Sequence, residues 1–330
     1  MFDVITFGSA AWDVFMEMPP KLVKKDPKLL SGRGLALNMG SKIDIGTMRF
    51  AFGGGGINTA TTFVCQGFKT AYCGMVGDDI PGREAVAHLN HLGVDTSLVS
   101  YTKQYVTNNS VVLNARGEDR VILVYRGASE FLERENITWD KLSAKLIYLA
   151  PLSGKLCRLT EEITAFAKKN NILVAANLGN SQLAMGRSCI KSLLARIDIL
   201  ILNKEEAAAL AEINYSQEEK IIRQLNHLHP GINVITKGKD GAAISAAGKI
   251  YEAKLKKFKV MDVTGAGDAF AAGFMSGMLQ SNQNIEYSMK LALLNAKQCL
   301  SARGGSICLL AQKDNNLVEK ENIKIKIRNL

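Results

Sequence analysis

The residue best suited to chemistry is Asp268, in the run Asp262-Val263-Thr264-Gly265-Ala266-Gly267-Asp268-Ala269-Phe270. Phe270, Phe274 and Met278 follow at helical spacing, so the run opens an amphipathic helix. Two glycines at a helix entrance let consecutive backbone N–H groups turn toward one point. The helix dipole adds partial positive charge there, and the result is an anion hole. An aspartate in the first turn can simply suit the dipole. It can also accept the proton of a hydroxyl while the amides of Gly265, Ala266 and Gly267 hold the phosphate under attack. Phosphoryl transfer needs little beyond such positioning and charge stabilisation. The spacing is neither GxxxxGK[ST] nor an early GxGxxG, so P-loop NTPases, protein kinases and dinucleotide-binding dehydrogenases are not supported.

A second glycine run, Gly53-Gly54-Gly55-Gly56-Ile57-Asn58, precedes another helical stretch. Without side chains at Gly54 and Gly55, a polyhydroxy ligand can approach backbone, and Asn58 offers it both a donor and an acceptor. The same residues also suit a plain turn with Asn58 as helix cap.

Together these runs resemble the signatures of the ribokinase-like carbohydrate kinases, the PfkB family. Residues 262–273 match D-T-x-G-A-G-D-x-F-x-x-G except at Val263, and Gly53–Ala60 matches a glycine run followed by N-x-[AST]. Asn203-Lys204-Glu205-Glu206 resembles the family's N-x-x-E element. Thr236-Lys237-Gly238-Lys239-Asp240-Gly241 resembles its [ST]-x-G-x-x-G turn, and Gly127-Ala128 its G-A turn. The resemblance runs from about residue 4 to about residue 306. It implies that Asp268 is the general base and that Asp13, Gly54, Gly55 and Asn58 hold the acceptor. It implies that Asn203 and Glu206 order Mg²⁺ near the triphosphate, through water at Glu206, with Thr236, Gly238 and Gly241 on the ATP side. It also implies a monovalent cation, K⁺, near Asp262, Val263 and the 302–306 loop.

The elements around these residues fit such a site. From about residue 146 onward, short apolar strands alternate with helices of 10–15 residues, which implies a parallel sheet covered on both faces. Residues 12–52 and 99–127 are strand-rich and break that alternation. They read as a small β-sheet appended to the main domain, where the resemblance places a lid. The expected fold class is therefore α/β: a three-layer α/β/α core with a mostly parallel sheet and a small β-sheet lid, in one domain over residues 1–330.

Composition excludes other classes. The chain is 47% hydrophobic and 22% charged, and no apolar run approaches the roughly 20 residues needed to cross a bilayer. The start Met1-Phe2-Asp3-Val4 lacks a basic leader, and the six cysteines form no CxxC pair, so buried thiols in a cytoplasmic protein are expected. The net charge of +10 is clumped at 21–28, at 254–259 and in the C-terminal tail, without a nucleic-acid recognition signature. The clump at 254–259 is either a solvated face or a positive field for an anion such as ATP.

The expected activity is ATP-dependent phosphorylation of a sugar hydroxyl. A nucleoside kinase is the first rival. Trp12, Phe15 and Phe52 offer it an aromatic slot, and Ala176-Asn177-Leu178-Gly179-Asn180 departs from the D-x-N-x-R-like run of many sugar kinases in the family. A phosphosugar kinase would need added cations such as Arg126 or Lys42. A non-catalytic regulator is disfavoured by the intact GAGD. Expected partners are a small-molecule sugar or nucleoside, neither nucleic acid nor membrane, with a homodimer possible through the lid.

Overall fold

A computed structural model describes residues 1–29, 32–115, 120–301 and 309–330. Residues 116–119 of the strand-rich stretch 99–127 and the expected 302–306 loop lie outside them. The strands are β1 (Phe2–Phe7), β2 (Ala11–Met18), β3 (Val23–Lys25), β4 (Arg33–Leu35), β5 (Met48–Gly53), β6 (Thr70–Gly77), β7 (Asp95–Thr102) and β8 (Asn108–Ala115), then β9 (Val121–Tyr125), β10 (Ala144–Leu149), β11 (Leu173–Asn177) and β12 (Ile199–Asn203), and finally β13 (Ile232–Thr236), β14 (Ala242–Ala246), β15 (Lys249–Ala253) and β16 (Ile325–Asn329). The helices are α1 (Gly55–Cys65), α2 (Ile80–His91), α3 (Gly154–Lys169), α4 (Asn180–Leu183), α5 (Arg187–Leu194), α6 (Lys204–Ala211), α7 (Glu218–Leu228), α8 (Ala266–Gln280), α9 (Ile285–Leu300) and α10 (Leu317–Lys320).

The main sheet has ten strands in the order β16-β15-β14-β13-β12-β11-β10-β1-β6-β7. From β7 to β13 all neighbours are parallel, and the edge β14-β15-β16 is antiparallel. The parallel strands are apolar on both faces because helices cover both. One face packs Leu156 and Ile163 of α3 with Leu193, Ile221 and Leu225. The other packs Phe270, Phe274 and Met278 of α8 with Met289 and Leu293 of α9. Ile57 and Ala60 of α1 meet Val86 and Leu89 of α2 in a further cluster.

A second sheet, β5-β2-β8-β9, leaves the core after β1 and is joined by β2–β8 parallel and by β2–β5 and β8–β9 antiparallel pairs. Its span differs from the expectation of 99–127: β7, up to Thr102, pairs with β6 in the main sheet, so the appended stretch starts later. The alternation of Leu98 (buried) with more exposed neighbours marks a half-covered edge of the core sheet, which composition alone did not separate from the appended strands. Among the described residues, no helix is long and apolar enough to cross a membrane.

Candidate active site

The sheet order reverses at β1. The chain runs from β1 to β6 on one side and returns at β10 on the other. In open α/β sheets the crevice beyond the strand ends at such a point is the ligand site. Gly8, after β1, and Ala150, after β10, meet the start of α1 there. A Cβ on Gly55 would lie 2.8 Å from the Ala150 methyl and 3.6 Å from Asp268 Oδ1.

This packing changes the account of the glycine run. A Cβ on Gly53 would fall 2.1 Å from Asp13 Oδ2, and one on Gly54 2.5 Å from the Ser9 carbonyl; Gly54 also has φ +91°. Gly54 and Gly55 therefore clear space chiefly for protein: they let α1 enter against β1, β2 and the α8 entrance. The reading of Asn58 as helix cap is replaced as well. Gly54 is the N-cap of α1, and Asn58 lies one turn inside it.

Asn58 Nδ2 donates to Asp268 Oδ2 at 2.8 Å, while Asn58 Oδ1, buried, has no hydrogen-bond partner among the described residues. Burial pushes the Asp268 carboxyl above the usual carboxylate range, and the Asn58 hydrogen bond opposes that shift. Asp268 is the third residue of α8, whose N-cap Gly265 has φ +74°. A Cβ on Gly267 would meet nothing within 4 Å, so the first turn of α8 faces open space. The Ala266 N–H makes a long 3.4 Å contact to the Val263 carbonyl, and Gly265 C=O accepts from Ala269 N–H at 2.8 Å. The remaining first-turn amides are the donors that a helix start leaves unpaired.

Asp13 lies on β2, in register with Ser110 and Ala51, and is 7% exposed. Burial raises its pKa, a hydrogen bond from Ser110 opposes this, and the nearby charge of Asp262 adds to it. Asp262 Oδ1 accepts from Thr264 N–H at 2.9 Å. The same carboxylate faces two guanidinium groups from the second sheet, Arg49 at 3.8 Å and Arg120 at 3.6 Å. A monovalent cation at Asp262 would compete with these arginines. The cations anticipated at the acceptor side stand elsewhere: Arg126 is largely exposed, 3.9 Å from Glu130, and Lys42 is exposed. The aromatic residues are mostly committed to each other. Trp12 packs on Phe50 and Phe52, Phe52 stacks on His88, and Phe15 is buried beneath the Arg49 guanidinium.

The third group gathers at the ends of β12 and β13, where Asn203 and Thr236 are register partners. Asn203 Oδ1 accepts from Glu206 N–H, and Glu206 Oε2 accepts from Asn203 N–H, both at 2.8 Å. This reciprocal capping box starts α6 and is the plain structural explanation of the pair. It leaves Glu206 Oε1 available, and burial pushes the Glu206 pKa up, the Asn203 amide opposing it. A half-buried carboxylate that gains from a nearby positive charge fits a water-mediated Mg²⁺ site. Thr236–Gly241 forms the hairpin turn from β13 to β14. Gly241, at φ +85°, could not carry a Cβ, which would overlap the Ala253 carbonyl at 2.0 Å, whereas a Cβ on Gly238 would point into open space. Lys237 anchors the turn through Glu218 at 2.7 Å and Glu252 at 3.3 Å. Beyond β15, Lys254, Lys256, Lys257 and Phe258 line a recess of about 180 Å³ with Lys297, Glu321 and Ile323, so the basic clump borders this recess as well as solvent.

Three residues in this region carried no signal in the sequence. Arg49, within β5, and Arg120, just before β9, are ordinary cations until the second sheet folds over Asp262. Tyr148 looks like one more apolar residue of a buried strand.

Comparison with known proteins agrees with this fold. The description "pfkB family carbohydrate kinase" matches residues 32–312. A ribokinase of Haemophilus influenzae is 28% identical over 241 residues, covering 70% of this chain and 76% of the relative. A nucleoside kinase of Methanothermobacter thermautotrophicus is 26% identical over 235 residues, 71% and 73% of the two chains. The structure of Arabidopsis thaliana ribokinase complexed with ribose and ATP superposes with a TM-score of 0.78 at 22% identity, covering 97% of this chain and 99% of that one.

Proposed function

The chain belongs to the pfkB family of carbohydrate kinases, phosphotransferases with a hydroxyl acceptor, and from that premise we propose that it transfers the γ-phosphoryl group of ATP to a sugar hydroxyl with Asp268 as general base. The observation that carries this reading is the 2.8 Å Asn58–Asp268 bond beside the open first turn of α8. The acceptor hydroxyl sits against Asp268, which takes its proton as the phosphorus is attacked. The first-turn amides at Gly265, Ala266 and Gly267 hold the charge on the transferring group, with the Ala266 N–H released from its long contact to do so. Asn58 orients the base through Nδ2 and offers Oδ1 to the acceptor, which Asp13 and the backbone at Gly54 and Gly55 also hold. Asn203, Thr236, Gly238 and Gly241 frame the nucleotide. Mg²⁺, when bound, neutralises phosphate charge, and Glu206 Oε1 would hold it through water. In this reading a K⁺ ion at Asp262 would have to share the carboxylate with the two arginines already paired to it.

The β5-β2-β8-β9 sheet acts as the lid over the acceptor, and its β9 edge pairs with a second copy of the chain. The setting is cytosolic, a reading supported by the free thiols of Cys65, Cys73, Cys157, Cys189 and Cys299. Coupled ADP-release assays across pentoses, hexoses, phosphosugars and nucleosides test the activity. Turnover on none of them would turn the reading toward a nucleotide- or sugar-binding regulator.

A second reading, a phosphosugar acceptor, is favoured by Arg49 and Arg120 at the seam between lid and core. In that case Arg49→Ala raises KM for phosphosugars about tenfold or more, the scale of a lost charged contact, with neutral sugars unaffected. The nucleoside reading draws support from the nucleoside kinase relative, but Trp12 and Phe52 are already packed on neighbouring rings.

A further inference from the structure

Tyr148 lies on β10, the central strand next to the switch point, in register with Thr6 on β1 and Ala175 on β11. It is fully buried, and its ring meets Phe63 of α1 edge-on at 5.8 Å between centroids. The hydroxyl has no hydrogen-bond partner among the described residues. A buried phenol normally finds one, and the chain's other fully buried tyrosine does so: Tyr72 Oη donates to the Gly8 carbonyl at 3.0 Å. Phenylalanine would fill the Tyr148 position without the unmet polar group.

The strand that carries the orphaned hydroxyl runs out at the site. Ala150 continues the strand, its N–H donating to the Phe7 carbonyl. Strand alternation puts it on the same face as Tyr148, and its methyl abuts Gly55 beside Asp268. Burial holds the Tyr148 pKa well above that of an ordinary phenol, and the charges of both Asp268 and Glu206 raise it further. Those two carboxylates come from different helices, α8 and α6, so the hydroxyl stands in the field of both.

We propose that Tyr148 is a positioning residue for phosphoryl transfer, a donor held in the floor between Asp268 and Glu206 that becomes paired when nucleotide and acceptor fill the site. The hydroxyl donates into the hydrogen-bonded chain linking the base to the magnesium side, directly or through one water. It thereby fixes the Asp268 carboxylate in the ionised, outward-facing orientation. The inference rests on the kinase reading given above.

Tyr148→Phe tests it, because only one oxygen is removed. The expected result is a kcat lowered roughly tenfold or more, the scale of losing a hydrogen bond to a charged group. KM values for ATP and acceptor stay within about threefold on the same argument. Without ligand, the melting temperature is equal to or above that of the wild type. A second readout needs no turnover. The rise in melting temperature on adding Mg²⁺ and a non-hydrolysable ATP analogue is smaller in Tyr148→Phe than in the wild type, since only the wild type gains a partner for the hydroxyl. A variant with kcat within twofold of wild type overturns the proposal, as does an equal ligand-induced rise in both proteins. Absence of turnover in the wild type itself would instead count against the kinase reading, and the ligand-induced rise would still decide the role of Tyr148.

Discussion

Asn58 Nδ2 and Asp268 Oδ2 stand 2.8 Å apart although 210 residues separate them in the chain. The bond joins the first turns of α1 and α8. It also sets the charge state of the base, because hydrogen bonding to a carboxylate favours its ionised form and burial favours the neutral one. Asn58→Ala removes the opposing influence, so the Asp268 pKa rises further. The acid limb of the kcat/KM profile should move to higher pH. The loss is then largest at low pH and shrinks as pH rises, with a fall of about tenfold or more near neutrality. An unshifted acid limb would sever Asn58 from the base.

Asp268→Asn separates catalysis from stability. General-base removal typically costs roughly 10²–10⁴-fold, and nucleotide binding should persist. The stability sign is opposite. A carboxyl whose folded pKa is raised gives its full stabilisation below the unfolded pKa and loses it as pH rises through the folded value. At neutral pH the ionised carboxylate therefore burdens the fold. The neutral amide, which still accepts from Asn58, should melt at an equal or higher temperature at pH 7, and the advantage should vanish in acid. A variant that melts lower at pH 7 would mean that Asp268 is structural.

Much of this arrangement was legible in the sequence because it depends on local chemistry. The strand–helix alternation after residue 146, the α8 entrance and the β13–β14 turn each follow from short runs whose pattern has one good solution, and the amphipathic helix expected to open at the glycine run is observed as α8. The Asn203/Glu206 pair stood out in the sequence only through the resemblance, and its reciprocal capping box emerges from the structure. What was not legible depends on distant approach. β7 reads like the appended strands, yet its partner is β6. Arg49 and Arg120 acquire meaning only through Asp262. The glycines at 53–55 suggested room for ligand, and the structure gives most of that room to Asp13, Ser9 and Ala150. Tyr148 is hidden because a buried strand and a site floor have the same apolar sequence.

Glu206 serves α6 and, in the proposed mechanism, the magnesium side. The two duties can be separated. Glutamine at this position can still complete a capping box, so Glu206→Gln should leave thermal stability within about 0.5 kcal/mol. Its kcat should fall, with partial recovery at raised Mg²⁺. Asn203→Ala should do the reverse in stability, losing roughly 1 kcal/mol with the N-cap. A Glu206→Gln enzyme with wild-type rate and magnesium dependence would leave the carboxylate with capping alone.

The outer edge of the lid carries the last prediction. β9 pairs with β8 on one side only, and its five residues, Val121, Ile122, Leu123, Val124 and Tyr125, are each 40–56% exposed. An apolar edge strand with free backbone donors and acceptors invites pairing, and soluble proteins usually blunt such edges with charge or proline. Neither occurs within β9. Phe50 and Met48 on the opposite edge strand β5 are also exposed, so both edges of the sheet present apolar side chains. A second copy laid edge-on against β9 would pair those backbone groups, set its side chains beside both rows of β9 side chains and keep the lid rigid over the acceptor. The wild type should therefore sediment as a dimer at micromolar concentration. Leu123→Lys and Val124→Lys, one on each face, should each shift it toward monomer and raise KM for the acceptor more than KM for ATP, because the lid and not the nucleotide turn is disturbed. A wild-type chain that sediments as a monomer at those concentrations would sink the pairing.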